Sequence, residues 1–330
     1  MAKKEVSVVY LSQGAYKTGG YLHESFLFEA LSKQLGLNYQ VRSSAARLEK
    51  RFEGLFGYLK LFLWYAKHAK ANLTIVPLRG ALATALVNQS KYHYTLVVLH
   101  SEVQSYSSLL LKWYFLLFTL LKKFGQLKRC KLVVIHPYWK TFFEKKGIAG
   151  KDILIFPNYF DTAYYRQFKV HDKKKQVHLG MPDQKLDGGI FKLAQKLNQA
   201  GYHCYFSSYT KDMKLPASDY YHIAYFESKE AYLKEMACSI CTIQMPAIAE
   251  GWSRVAHESI LVGTPVIGCD KGGLGQLLKE SRSTIVNDFE QAFQTITQGK
   301  FTIPADSFID AYDASKAPLG VKQIIETLYL

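Results

Sequence analysis

The chain has 330 residues, 48% of them apolar, which excludes a disordered polypeptide and gives length for two domains, each with its own core. Five cysteines, odd in number and mostly set in apolar stretches, exclude a disulfide framework and read as reduced cytosolic thiols. A formal net charge of +15 asks for an acidic partner, either nucleic acid or anionic lipid.

Taken in order, strands and helices alternate from the start, the pattern of parallel sheets covered by helices. The first residues enter an apolar strand over 6–11 without an apolar leader, which predicts a protein that stays in the cytosol. A loop, Gly14 to Gly20, follows, then a helix over 21–35. The loop is not a phosphate P-loop, because Gly20 and Tyr21 stand where Lys and Ser or Thr belong, and Tyr16 bars the dinucleotide fingerprint. Residues 47–70 place Leu48, Phe52, Leu55, Leu59 and Leu63 at helical spacing among six Lys and Arg. Strands over 73–77 and 94–99 precede a second apolar helix over 108–123, with a basic run at and after its end, Lys122, Lys123, Lys128, Arg129 and Lys131, that counts toward a cationic surface. Its unbroken apolar run, 113–121, is far short of the ~20 residues that span a bilayer, so an interfacial helix is predicted.

Further strands over 131–135 and 151–156 complete a first unit, and the Lys-rich stretch 169–175 reads as a linker. A second unit follows, with strands over 176–180, 202–207 and 239–244 and helices over 190–200 and 229–237. The expected organisation is a domain over 1–160, a second over 161–315 and a terminal helix over 316–330. No Asp-x-Asp occurs, and Cys238-x-x-Cys241 has no second Cys or His pair at zinc spacing, so no metal or cofactor is expected.

The densest signal is the run 250–265, in which Glu250 and Glu258 stand eight positions apart around Gly251, Trp252, Ser253, Arg254 and Val255. A loop opening a helix there offers backbone N–H groups and a positive dipole to an anion, while the carboxylates accept from hydroxyls. This run, with Gly263-Thr264-Pro265 and Gly272-Gly273 after it, resembles the E-x7-E motif of retaining glycosyltransferases with the GT-B fold, a group that includes sucrose synthase and bacterial mannosyltransferases.

The resemblance implies an α/β chain of two Rossmann-like domains facing across a cleft, moving a hexose from a nucleotide diphosphate sugar to an acceptor hydroxyl with retention of configuration. It implies that Glu258 holds ribose, that Glu250 and the amides of Gly251 and Trp252 hold the sugar, and that the Ser253–Val255 amides hold phosphate. Gly19 and Gly20 correspond to the family's N-terminal Gly-Gly loop, and His100, at the end of a strand, to its sugar-contacting histidine. The chain departs from the pattern where the leaving diphosphate is neutralised: Met181 stands for Arg and Asp187 for Lys, with Lys185 and Arg254 as the substitutes. The expected acceptor is a glycan or lipid-linked sugar of cell-surface polysaccharide or glycolipid synthesis, met by a peripheral protein on the cytoplasmic face of an anionic membrane. The competing readings are a catalytically degenerate partner subunit and a basic nucleic-acid-binding protein, the latter without any recognisable binding module.

Overall fold

The computed structural model describes residues 8–12, 19–35, 39–43, 54–69, 71–87, 93–99, 109–181, 187–209, 211 and 215–329. Its strands are β1 (Val8–Ser12), β2 (Tyr39–Ser43), β3 (Leu73–Pro77), β4 (Tyr94–Leu99), β5 (Cys130–Val134), β6 (Ile153–Ile155), β7 (Lys174–His178), β8 (His203–Ser208), β9 (His222–Tyr225), β10 (Ser239–Gln244), β11 (Val266–Gly268) and β12 (Thr284–Ile285). The helices, renumbered among the described residues, are α1 (Gly19–Leu35), α2 (Gly54–His68), α3 (Ala81–Val87), α4 (Leu109–Lys123), α5 (Pro137–Lys145), α6 (Thr162–Arg166) and α7 (Gly189–Gln199). They continue as α8 (Lys229–Cys238), α9 (Arg254–Leu261), α10 (Gly272–Glu280), α11 (Phe289–Thr297), α12 (Asp306–Ala311) and α13 (Ala317–Tyr329). Two compact units result: Met1–Asn158 with Ser315–Leu330, and Tyr159–Ala314.

The first unit is a six-stranded parallel sheet in the order β2-β1-β3-β4-β5-β6. Runs such as Leu96, Val97, Val98 and Leu99 are buried on both faces, which is why these strands read as continuous apolar segments. The direction of travel between strands reverses once, after β2. Right-handed crossovers therefore put α1 on one face and α2, α3, α4 and α5 on the other. Contacts agree: α13 packs on α1, while α2, α3 and α4 meet around residues 78–82. There the Tyr65 ring lies so close to Gly80 that a Cβ would stand 2.6 Å from it. Tyr114 of α4 accepts from the Leu82 N–H at 2.8 Å and donates to the Arg79 carbonyl at 2.9 Å.

The second unit is also parallel, but its order is β12-β11-β10-β7-β8-β9. Counted from β7 this is the dinucleotide-fold order 3-2-1-4-5-6, with its reversal between β7 and β10. The core forms where α7 sets Ile190, Leu193, Ala194 and Leu197, at intervals of three and four residues, against Val177, Phe206 and Ile243 of the sheet. In open α/β sheets the crevice beyond the carboxyl ends of the strands at such a reversal is where ligands bind. Here it is bounded by Gly180 after β7 and by the loop after β10.

Candidate active site

Every element of the second unit's site follows the carboxyl end of a strand. After β7 the chain turns at Gly180, whose φ of +79° favours glycine, and the Gln244 side-chain amide lies 2.4 Å from where a Cβ would stand. After β10, Gln244 reaches forward to the loop, and the Ser253 hydroxyl donates to its Oε1 at 2.9 Å. Ser253 is also the N-cap of α9: its Oγ accepts from the Ala256 N–H at 3.3 Å and its carbonyl from the His257 N–H at 3.0 Å. The N–H groups of Arg254 and Val255 meet no protein acceptor among the described residues, so the first turn of α9 presents two open donors and positive dipole.

The remainder of the motif fastens this loop. The Glu250 carbonyl accepts from Gly273 N–H at 2.8 Å, and Gly272 has a φ of +58° with space for no side chain, since a Cβ would stand 2.6 Å from that carbonyl. Lys271 donates to the Pro246 carbonyl at 2.9 Å. Gly251 and Trp252 are buried. The Trp252 indole points inward and donates to His257 Nδ1 at 3.0 Å, which fixes Nδ1 as the unprotonated nitrogen. His257 is fully buried among Phe160, Phe308 and Tyr312, and burial, with Arg254 adding to it, holds its pKa well below the ordinary value. A neutral, ring-packed imidazole is a structural wedge beneath the loop.

Glu258, one turn further along α9, is buried and gathers three partners on the same oxygen, Oε1. The Tyr165 hydroxyl donates to it at 3.0 Å, Arg254 Nη2 lies at 3.5 Å and Lys229 Nζ at 3.7 Å. Burial first and the Glu258 charge second push the Tyr165 phenol far above its ordinary value, so it remains a donor at any working pH. The same two causes raise Tyr209 and Tyr232. Lys229 is pulled down by burial against the attraction of Glu258. Its ammonium lies 4.6 Å from the centre of the Tyr165 ring, and the Arg254 guanidinium lies 4.6 Å from that of Phe160. Two cations around one carboxylate leave local positive charge beside the open amides of α9, an arrangement suited to an anion.

The structure thus brings Glu250, Gly251, Trp252, Ser253, Arg254, Val255 and Glu258 together on one loop and helix. Gly19 and Gly20 begin α1 in the first unit. His100 and Lys185 lie outside the described residues. Of the two departures, Met181 is half-buried beside Gly180, and Asp187 accepts from the Gly189 N–H at 2.9 Å at the start of α7. Sequence reasoning missed Lys229 and Tyr165: they lie 29 and 93 positions from Glu258, and no local spacing connects them to it.

Behind the loop, His178 is wholly buried at the reversal point. Its Nε2 lies 2.9 Å from Ser207 Oγ and its Nδ1 3.2 Å from Thr242 Oγ1. Ser259 of α9 lies 2.8 Å from that same Thr242 oxygen and donates to the Thr264 carbonyl at 3.0 Å. Burial lowers the His178 pKa to about 3. This chain of polar contacts ties β7, β8 and β10 to α9.

No protein-family model matches the chain, and no curated protein matches it. Solved structures do. The sucrose-phosphate synthase of Thermosynechococcus elongatus superposes with a TM-score of 0.73 at 14% identity, covering 98% of this chain and 99% of that one. Alr3699/HepE of Anabaena in complex with UDP-glucose gives 0.69 at 12% identity over 98% and 100%. The UDP-GlcNAc 2-epimerase of Methanocaldococcus jannaschii gives 0.59 at 12% over 97% and 99%. At these identities the likeness is one of fold, and the fold is GT-B.

Proposed function

We propose that the protein is a glycosyltransferase that moves a hexose from a nucleotide diphosphate sugar to an acceptor hydroxyl with retention of anomeric configuration. The observation that carries this reading is the cluster on α9: a buried carboxylate, two cations and two open amides at the reversal of a dinucleotide-fold sheet. In this reading Glu258, with Oε2 turned to the ligand, accepts from the ribose hydroxyls. The amides of Ser253 to Val255 receive the phosphates, and Glu250 with the Gly251 and Trp252 amides receives the sugar. UDP-hexoses are the donors to test first, because UDP-glucose and UDP-GlcNAc appear in the names of proteins sharing the fold.

Arg254 and Lys229 together would stabilise the departing diphosphate where Met181 and Asp187 supply no cation, the electrostatic contribution such chemistry most needs. The leaving phosphate takes the acceptor's proton, so neither a protein nucleophile nor a metal is invoked. Donor turnover followed by proton NMR of the anomeric signal tests both parts. Arg254→Ala and Lys229→Ala should each lower turnover about tenfold or more, and the product should keep the donor's anomeric configuration. An inverted product would refute retention, and two fully active variants would refute the leaving-group assignment.

The degenerate-subunit reading keeps one observation in its favour, the Asp187 carboxylate seated on the first amide of α7 where the family places a cation. It is distinguished by donor binding without turnover.

A further inference from the structure

The first unit carries a surface that the donor site does not explain. α4 is largely apolar, yet only one side enters the core: Leu111, Phe115, Phe118 and Lys122, spaced four, three and four apart, are buried together with Thr119. The opposite face leaves Leu109, Trp113, Leu116, Leu117 and Leu120 in solvent and continues into Phe124. Trp113 is 66% and Phe124 71% exposed. α2, on the same side of the sheet, exposes Leu59 and Leu63, and α3 ends in exposed Leu86 and Val87. Ten of the twelve exposed large apolar side chains described in this unit therefore lie on one helical layer, the others being Leu22 and Leu319 on the opposite one. Scattered exposed leucines are ordinary, but ten large apolar side chains exposed on one helical layer are not.

The charge on that layer identifies the occupant. α2, α3, α4 and the turn 124–129 carry Lys60, Lys67, Lys112, Lys122, Lys123, Lys128 and Arg129 and no Asp or Glu. Exposed Lys60 and Lys67 flank Leu63 on α2, and exposed Lys123 and Lys128 flank Phe124. Their sequence neighbours Lys122 and Arg129 are engaged internally: buried Lys122 pairs with Asp152 at 2.8 Å, and half-buried Arg129 donates to the Tyr94 hydroxyl. A second copy of this chain in a two-fold interface would bring lysine against lysine. Anionic lipid headgroups match the cations, and acyl chains match the leucines and Trp113. α4 has 15 residues, roughly 22 Å at 1.5 Å per residue, and no described helix is long and apolar enough to cross a bilayer.

We infer that the α2–α4 layer is a membrane-docking face, with α4 lying in the interface of an anionic bilayer, its Trp113–Phe124 side in the lipid and its flanking lysines among the headgroups.

Vesicle co-sedimentation tests this without reference to the nucleotide site. The protein should pellet with vesicles of mixed phosphatidylcholine and phosphatidylglycerol at low salt, and release as salt rises. Its tryptophan emission should shift to the blue on binding, a shift that Trp113→Phe removes because Trp113 is the most exposed tryptophan described. Trp113→Glu with Leu117→Glu, and separately Lys60, Lys67, Lys123 and Lys128 all to Glu, should each lower the partition coefficient about tenfold or more. Circular dichroism and UDP-sugar binding should match the wild type, since every substituted side chain is solvent-exposed and outside the donor site. Wild-type protein that remains in the supernatant at low salt would overturn the inference. So would a concentration-dependent dimer in sedimentation velocity that Trp113→Glu abolishes, because the face would then belong to a second copy.

Discussion

The two units depart from the apolar-inside rule in opposite directions. On the α2–α4 layer of the first unit, large apolar side chains stand in water while Lys122 is buried on Asp152. Around α9 in the second unit, polar and ionisable groups are drawn inside: His178, Thr242, Ser253, His257, Glu258 and Ser259 are all buried. Each departure has a cost the fold must offset, exposed apolar area in one case and desolvated polar groups in the other. The second unit offsets its cost with hydrogen bonds, of which the His178 contacts and the Tyr165–Glu258 pair are the clearest. Among the described residues no comparable partner covers Trp113 or Phe124, and a bilayer would supply it. The contrast separates a unit that gathers polar groups inside from one that leaves large apolar side chains outside, which is what the proposed donor site and the proposed docking face each require.

The largest expected effect breaks α4 by its two sides. Phe118→Ala, in the core, should cost about 3–5 kcal/mol of stability, whereas Trp113→Ala should stay within about 0.5 kcal/mol. Urea unfolding measures both, and equal losses would mean that Trp113 is a core residue. The second unit should be the acid-labile one. Unfolded, its histidines titrate near their ordinary values, but folded His178 stays neutral down to about 3, and His257 is displaced the same way. Between those limits the unfolded chain binds more protons, so stability is constant above about pH 6.5 and falls as pH drops below it. The loss should approach 1.4 kcal/mol per pH unit for each histidine. Urea-gradient pulse proteolysis with fragment identification at pH 8 and pH 5 would locate it, and His178→Gln should flatten the slope. A first unit lost before the second would contradict this assignment.

Smaller still is Tyr165→Phe, which removes one hydrogen bond from Glu258 and should weaken donor binding about threefold to tenfold, for a loss of roughly 1 kcal/mol. Removal of metal with EDTA should leave turnover unchanged if, as proposed, Arg254 and Lys229 take the part a divalent cation would play. Loss of activity restored by magnesium would show that these cations are insufficient.

The sequence disclosed what depends on local pattern. The central strands β4 and β5 carry the apolar runs Leu96–Leu99 and Leu132–Val134, and the loop from Glu250 to Glu258 is one contiguous segment whose residues were all visible in order. The edge strands β2, β9 and β12 were not expected, because an edge strand can be short and polar, as Tyr39–Ser43 and His222–Tyr225 are. Lys229 and Tyr165 were invisible for another reason: only the strand order of the second sheet brings α8 and α6 to Glu258. The basic run after α4 misled in its details, since counting charge put Lys122 on the surface. Its spacing of four from Phe118 puts it on the inward face.

The central claim is that the α9 cluster receives a nucleotide sugar. Isothermal titration of the wild-type protein with UDP and a panel of UDP-hexoses tests it directly. Saturable binding of at least one of them is expected, weakened about ten- to a hundredfold by Glu258→Ala through loss of a hydrogen-bonding carboxylate and unchanged by Trp113→Glu. Wild-type protein that binds none of them, or Glu258→Ala protein that binds as tightly as wild type, would contradict the account.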